Sequence, residues 1–218
     1  NEVYDYEMDH PSAYGSGGQG YGVHLIGASR SLIVGARVWH ARHGVVVDFG
    51  SSESQILEGE FFEMNQALLD VHGEASRDTL IRANQLRDAS IGVIVGGGGH
   101  EVHCNDGPRH HVQQNTISDC FVGVSVADET EEVFVRGNSF DENGSHVASA
   151  FGAREITVER NRFGAALGRE ISLATEGTGG MYVERNLFQR RCDAAAVTLI
   201  LNGAEAPQFS ENEWCPEQ

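Results

Sequence analysis

The stretch Ile156-Thr157-Val158-Glu159-Arg160-Asn161-Arg162-Phe163 returns one period later as Met181-Tyr182-Val183-Glu184-Arg185-Asn186-Leu187-Phe188. Its last three residues follow a rule: an asparagine, one variable residue, then a large apolar one. Working outward, the same ending occurs at Asn84-Gln85-Leu86, Asn115-Thr116-Ile117, Asn138-Ser139-Phe140 and Asn212-Glu213-Trp214. Successive asparagines are separated by 31, 23, 23, 25 and 26 residues (115 − 84, 138 − 115, 161 − 138, 186 − 161 and 212 − 186). Two earlier phrases keep the period without the asparagine, Ile33-Val34-Gly35-Ala36-Arg37-Val38 and Ile56-Leu57-Glu58-Gly59-Glu60-Phe61. A fixed period of this size marks a solenoid.

Within each unit the apolar residues alternate, as in Ile156 and Val158 or Val93 and Val95. That is the pattern of a strand, and no unit carries a helical stripe. A coil of this length holds three short strands and three turns, so the expected fold is all-β, a right-handed parallel β-helix of about eight coils. The asparagine column then has a physical reason. Stacked about 4.8 Å apart along the axis, buried amides can donate to one neighbour and accept from the next. Phe140, Phe163, Phe188 and Trp214 share the parity of the asparagines and are expected to stack in the core.

Composition is consistent with one domain. The 218 residues include 27 glycines but only 4 prolines, as many tight turns require. Residues 1–22, aromatic and acidic and then glycine-rich, are expected to cap the open end of the first coil, and residues 23–218 to form the helix. Its longest step implies a loop thrown out at 96–111. The chain does not begin with Met, which suggests processing or excision from a longer protein. No apolar run is long enough to span a membrane, and none reads as a signal peptide.

All 15 basic residues are arginine, set against 32 carboxylates, for a net charge of −17. That balance argues against nucleic acid or any polyanion held by charge alone. It suits a halophilic protein whose surface charge is screened by salt, although a GC-rich genome also favours arginine. Of the four cysteines, Cys104 and Cys120 lie 16 apart and Cys192 and Cys215 lie 23 apart. Either pair can form a disulfide suited to an exported protein, and buried free thiols are the alternative.

Candidate chemistry lies where several coils contribute polar residues to one outer face. In Leu68-Leu69-Asp70-Val71-His72-Gly73, Asp70 and His72 point one way while Leu69 and Val71 point into the core. One coil earlier lies Trp39-His40-Ala41-Arg42-His43-Gly44, followed by Val45-Val46-Val47-Asp48. One coil later comes the histidine loop. The expected patch holds Arg42, His43, Asp70, His72 and one of His100, His103 or His110. An imidazole beside a carboxylate is held in one tautomer and made more basic, as acid–base work near neutrality requires. The bland alternative is a set of ordinary outward residues on a solenoid.

At these residues a resemblance becomes specific. Gly20-Tyr21-Gly22-Val23, Arg42-His43-Gly44-Val45 and Leu69-Asp70-Val71-His72-Gly73, on successive coils, resemble the pectate-lyase-like β-helix proteins of viral tail spikes and secreted polysaccharide enzymes. The motifs cover roughly residues 20–125. The Asp-x-His strand is also similar to the Asp-Pro-His-Asp strand of alginate C5-epimerases, but Val71 and Gly73 replace the proline and second aspartate. The next coil has Val95-Gly96 where those enzymes carry an arginine. The resemblance implies a polysaccharide or cell-surface glycan as partner, an extracellular or virion-surface location and a homotrimer.

For a uronate lyase, His72 is expected to take the proton beside the sugar carboxylate and Asp70 to orient it. Arg42 would hold the carboxylate and His43 would protonate the leaving oxygen. His40, Asp48 and His103 are the expected substrate contacts. A hydrolase would instead need two carboxylates across the bond, from among Asp48, Asp70, Glu58 and Glu60. His100, His103 and His110, with His111, Cys104 or Asp106, could gather a divalent cation, and calcium on the acidic face is a further expectation. Two other roles compete with the enzyme: a spike that recognises a glycan without cutting it, and a structural solenoid with no ligand.

Overall fold

The computed structural model describes residues 20–73, 75–97, 107–174 and 177–215, together with the backbone of residues 2 and 3. Every pairing between strands is parallel, and each strand meets its counterpart one coil away, so the chain winds as a β-solenoid. One face is an eight-stranded sheet running from Leu32–Val34 to Gln208–Ser210, one strand per coil, which gives the expected eight coils. The other two faces merge into one fourteen-stranded sheet, because the strands Glu60–Val71, Gln85–Val95 and Thr116–Val126 run through the corner between them. The Glu2–Val3 strand adds to the end of this sheet, parallel to Arg37–Trp39. His110 and His111, at the end of the expected loop, lie in the strand His110–Gln113.

The alternation seen in the sequence becomes rows of inward side chains. One row runs Ile33, Ile56, Ile81, Val112, Val135, Val158, Val183 and Phe209. A second runs Val38, Phe61, Leu86, Ile117, Phe140, Phe163, Phe188 and Trp214. At its end the rings stack as expected, with centroids 5.2 Å apart for Phe140–Phe163, 4.8 Å for Phe163–Phe188 and 4.5 Å for Phe188–Trp214. Phe140, Phe163 and Phe188, each fully withdrawn from water, contribute about 1.5–3 kcal/mol apiece.

Between these rows stands the asparagine ladder. In every coil the residue before the asparagine position has a left-handed backbone: Ala83, Gln114, Gly137, Arg160, Arg185 and Glu211 all have φ between 53° and 62°. That bend turns the chain from one sheet to the next and aims the asparagine inward. Each Nδ2 donates to the next asparagine's Oδ1 at 3.0 Å, from Asn84 through Asn115, Asn138, Asn161 and Asn186 to Asn212. The same Oδ1 also accepts the backbone N–H of the asparagine before it, at 2.8–2.9 Å. The ladder therefore satisfies backbone groups at a buried corner as well as itself. The earliest coils join through Gly59, whose N–H donates to Asn84 Oδ1.

Cys192 and Cys215 are disulfide-bonded and tie the last coil to the one before. Cys120 is a free buried thiol, pushed up to about 12 by burial, so it is chemically inert. Cys104 lies outside the described residues.

Candidate functional site: a histidine–aspartate chain on the outer face

Three neighbouring strands, Tyr21–Ile26, His43–Asp48 and Glu60–Val71, present the site. Their inward residues are Val23 and Leu25, then Val45 and Val47, then Leu69 and Val71, so the residues between them face out. Register puts His24, Val46 and Asp70 in one outward row. Two residues further on, Asp48 and His72 stand side by side at the strand ends.

Asp70 is the hub. Its Oδ1 lies 2.7 Å from His72 Nδ1 and its Oδ2 lies 3.0 Å from His43 Nδ1, although the second contact is out of line for a directed hydrogen bond. Burial pushes the Asp70 carboxyl up, but the close contacts and charges of His43 and His72 outweigh it and hold the group at about 2. A permanent carboxylate can only accept, so His72 presents Nδ1–H to it and its ring orientation is fixed.

Asp48 links a third imidazole. Its Oδ1 accepts the N–H of Phe49 at 2.7 Å as the chain turns, and Ser51 Oγ donates to the Asp48 carbonyl at 2.7 Å. That leaves Oδ2 facing outward, 3.3 Å from His24 Nε2 and 3.5 Å from His72 Nε2. A Cβ at Gly73 would collide with Asp48 Oδ1, and Gly73 has φ +93°. Glycine here is what lets Asp48 occupy the site.

The other end of the chain is set by a β-bulge between Met64 and Ala67, which aims Gln66. Gln66 Oε1 accepts from Arg42 Nε at 2.7 Å and lies 3.1 Å from His43 Nε2. Tyr21 stands edge-on to both His24 and His43, with ring centroids 4.8 and 5.2 Å away. The result is a continuous polar chain, His24, Asp48, His72, Asp70, His43, Gln66, Arg42. Asp48 and Asp70 are each 3% exposed and His43 is 4% exposed, whereas the side chains of His72 and His24 are 13% and 23% exposed. Solvent and any ligand therefore meet the chain through His24 and His72, and at its other end through the half-buried Arg42.

Of the residues expected from sequence, Arg42, His43, Asp48, Asp70 and His72 come together. His40 does not join them; its Nε2 pairs with Glu63 Oε2 at 2.7 Å on an exposed turn. His110 is buried in the eight-stranded sheet, with Nε2 2.8 Å from the Gly107 carbonyl. His100 and His103 lie outside the described residues. Among the described residues no group of three or more histidines, cysteines or carboxylates is arranged to hold a metal. His24, Tyr21 and Gln66 were missed, yet aligning Gly22-Val23 with Gly44-Val45 places His24 in the row of Asp70.

A family model described as "Right handed beta helix region" matches residues 71–213, well over half of the chain. The chain belongs to this right-handed β-helix family. Most of the site lies on coils before the matched region, and only His72 falls within it. A search of the curated proteins finds no match. Among solved structures, this β-helix protein is similar to the A-module of a mannuronan C-5 epimerase from Azotobacter vinelandii, with 14% identity and a TM-score of 0.69 over 91% of this chain and 55% of that one. It is also similar to a mutant tailspike protein of E. coli bacteriophage HK620 in complex with a pentasaccharide, with 13% identity and a TM-score of 0.61 over 90% of this chain and 44% of that one. A surface adhesin of Streptococcus pneumoniae aligns at 11% identity and a TM-score of 0.53, over 87% of this chain and 61% of that one. The β-helix chain thus spans roughly half the length of these proteins, and at such identities the likeness is one of fold. No helix among the described residues is long and apolar enough to cross a membrane.

Proposed function

We propose that this β-helix protein acts on a uronate-containing polysaccharide by acid–base elimination, with the histidine–aspartate chain as its active site. The observation that carries the reading is the convergence of His24 Nε2 and His72 Nε2 on Asp48 Oδ2, while Asp70 fixes His72 from behind. Two imidazoles meeting at one point can take a proton from one side of a sugar ring and return one to another. His72 removes the proton beside the sugar carboxylate, and the C–O bond to the leaving sugar breaks as the carbon–carbon double bond forms. The leaving oxygen takes its proton from His24. His43, with near partners at both ring nitrogens and almost no exposure, serves as a buttress of Asp70 rather than as the acid. Arg42, steered by Gln66, is the group that meets the substrate carboxylate.

Support for the substrate class comes from two fold neighbours, one an epimerase of mannuronan and one a tailspike holding a pentasaccharide. A location outside the cell or on a virion surface, in salty surroundings, fits the Cys192–Cys215 disulfide and the charge of −17. A homotrimer is what the tail-spike resemblance implies. Recognition without cleavage is the second reading, and the near-complete burial of Asp48 and Asp70 favours it.

The test compares wild type with His72→Ala on alginate, polygalacturonate and other polysaccharides in high salt, reading product size and the ultraviolet absorbance of unsaturated uronate ends. Wild type is expected to release such ends, and His72→Ala to do so about 10²–10⁴-fold more slowly. Equal rates, or glycan binding by both without cleavage, would replace the lyase with the recognition reading.

A further inference from the structure

A second feature lies on the eight-stranded sheet, away from the histidine–aspartate chain. The outward row there runs His111, Phe134, Thr157 and Tyr182 in register. His111 and Phe134 stack, with centroids 4.8 Å apart and planes 14° apart. At the next coil the row carries only Thr157, and an aromatic ring returns with Tyr182, which is 44% exposed. Two coil steps separate Phe134 from Tyr182, about 9.6 Å. Stacked rings in this protein sit 4.5–5.6 Å apart, so the step over Thr157 is one missing rung. The space is an open cleft of about 370 Å³ lined by Glu132, Phe134, Glu155, Thr157 and Tyr182. Arg136, whose guanidinium carbon lies 4.5 Å from the Phe134 ring centre, flanks the cleft without lining it.

We propose that this cleft binds one uncharged pyranose ring of a glycan, seated over Thr157 between Phe134 and Tyr182. The C–H face of a pyranose packs against an aromatic ring, and a gap one rung deep admits a single flat ring. Glu132 and Glu155 stand at the rim with left-handed backbones, φ 54° and 55°, and their carboxylates accept hydrogen bonds from sugar hydroxyls. Arg109 lies 3.8 Å from Glu132 and Arg136 pairs with Glu159 at 3.1 Å, so Glu155 leaves the surplus charge at the cleft negative, which disfavours a uronate; the ring is hydroxyl-rich and neutral. The site is independent of the acid–base reading and would anchor a neutral stretch of polymer on a different face from the one where chemistry is proposed.

Affinity electrophoresis through gels containing dextran, galactomannan, glucomannan or alginate tests this, with wild type, Thr157→Phe, Tyr182→Ala and His72→Ala. Thr157→Phe fills the missing rung with an outward side chain and leaves the core untouched. Wild type and His72→Ala are expected to be retarded equally by at least one neutral polymer, and the other two variants to bind it at least tenfold more weakly. Retardation by alginate alone, by none of the gels, or undiminished in Thr157→Phe would overturn the proposal. The outcome does not depend on whether uronate ends are released.

Discussion

Replacing Asn138 by leucine is expected to cost about 3–9 kcal/mol, enough to leave little or no folded protein. Leucine has nearly the same shape, so the loss is one of hydrogen bonding rather than volume. In the native ladder Asn138 Nδ2 donates to Asn161 Oδ1 and to the Val112 carbonyl. Its Oδ1 accepts both the backbone N–H and the Nδ2 of Asn115. The substitution therefore leaves three hydrogen-bonding groups unmatched in a dry corner: the Asn115 N–H, the Val112 carbonyl and one of the two Asn115 Nδ2 protons, the other staying on the Ile81 carbonyl. Each orphaned group costs about 1–3 kcal/mol. Asn212→Leu, at the half-exposed end of the ladder, is the control. There the substituted side chain is itself half-exposed and donates to no further rung, so a smaller loss, about 1–3 kcal/mol, is expected. Urea unfolding of the two variants measures the difference. Equal, small losses would show that the column is a consequence of the fold rather than one of its supports.

Stability is also expected to fall steeply between pH 6.5 and 4. Burial holds His110 down at about 4, against the pull of the Gly107 and Ser76 carbonyls and of Asp78. Burial likewise holds His146 at about 4, where the ring packs beside the Phe140–Phe163 stack, 5.5 Å from each ring, and near Asn143 Nδ2. An unfolded histidine takes up its proton near 6.5, whereas these two refuse it until about 4. In that window the unfolded chain binds more protons, so stability rises with pH and is lost on acidification, by about 3 kcal/mol for each ring. Asp70 adds a separate loss below this window. Its folded value of about 2 lies under the ordinary 3.8, so its contribution is present above 3.8 and disappears as pH falls toward 2. Urea midpoints at pH 7, 5.5 and 4.5 for wild type and His146→Gln isolate the first effect, because all other titrations cancel in the difference. The variant is expected to lose about half of the acid slope, and identical slopes would contradict the assignment.

Much of this architecture was legible because a solenoid writes its geometry into the sequence as a period. The asparagines at 84, 115, 138, 161, 186 and 212 each sit after a left-handed residue, and the apolar residue two positions on falls into one stacked row. The aspartate-to-histidine contact was equally legible, since residues two apart in a strand share a face. Contacts between coils were harder. Which outward residue of one coil meets which of the next depends on turn lengths, and these vary. The β-bulge at Met64–Ala67, which brings Gln66 to Arg42, leaves no mark in composition. His40 illustrates the other failure. It is two residues from Arg42, but its own left-handed backbone, φ 54°, turns it toward Glu63 and off the sheet face that carries His43. His110 looked like part of a ligand cluster, yet in the fold it is a buried strand residue capped by the Gly107 carbonyl.

In the proposed mechanism Asp70 orients the imidazole that does the chemistry. Asp70→Asn keeps the shape of the side chain and removes the charge that selects the Nδ1–H form of His72. The direct measurement is the rate at which wild type and Asp70→Asn release unsaturated uronate ends from the same polysaccharide at equal folded concentration. Wild type is expected to release such ends measurably, and the variant about 10²–10⁴-fold more slowly. Equal rates in the two proteins, or no release from any uronate polymer by wild type, would contradict that mechanism.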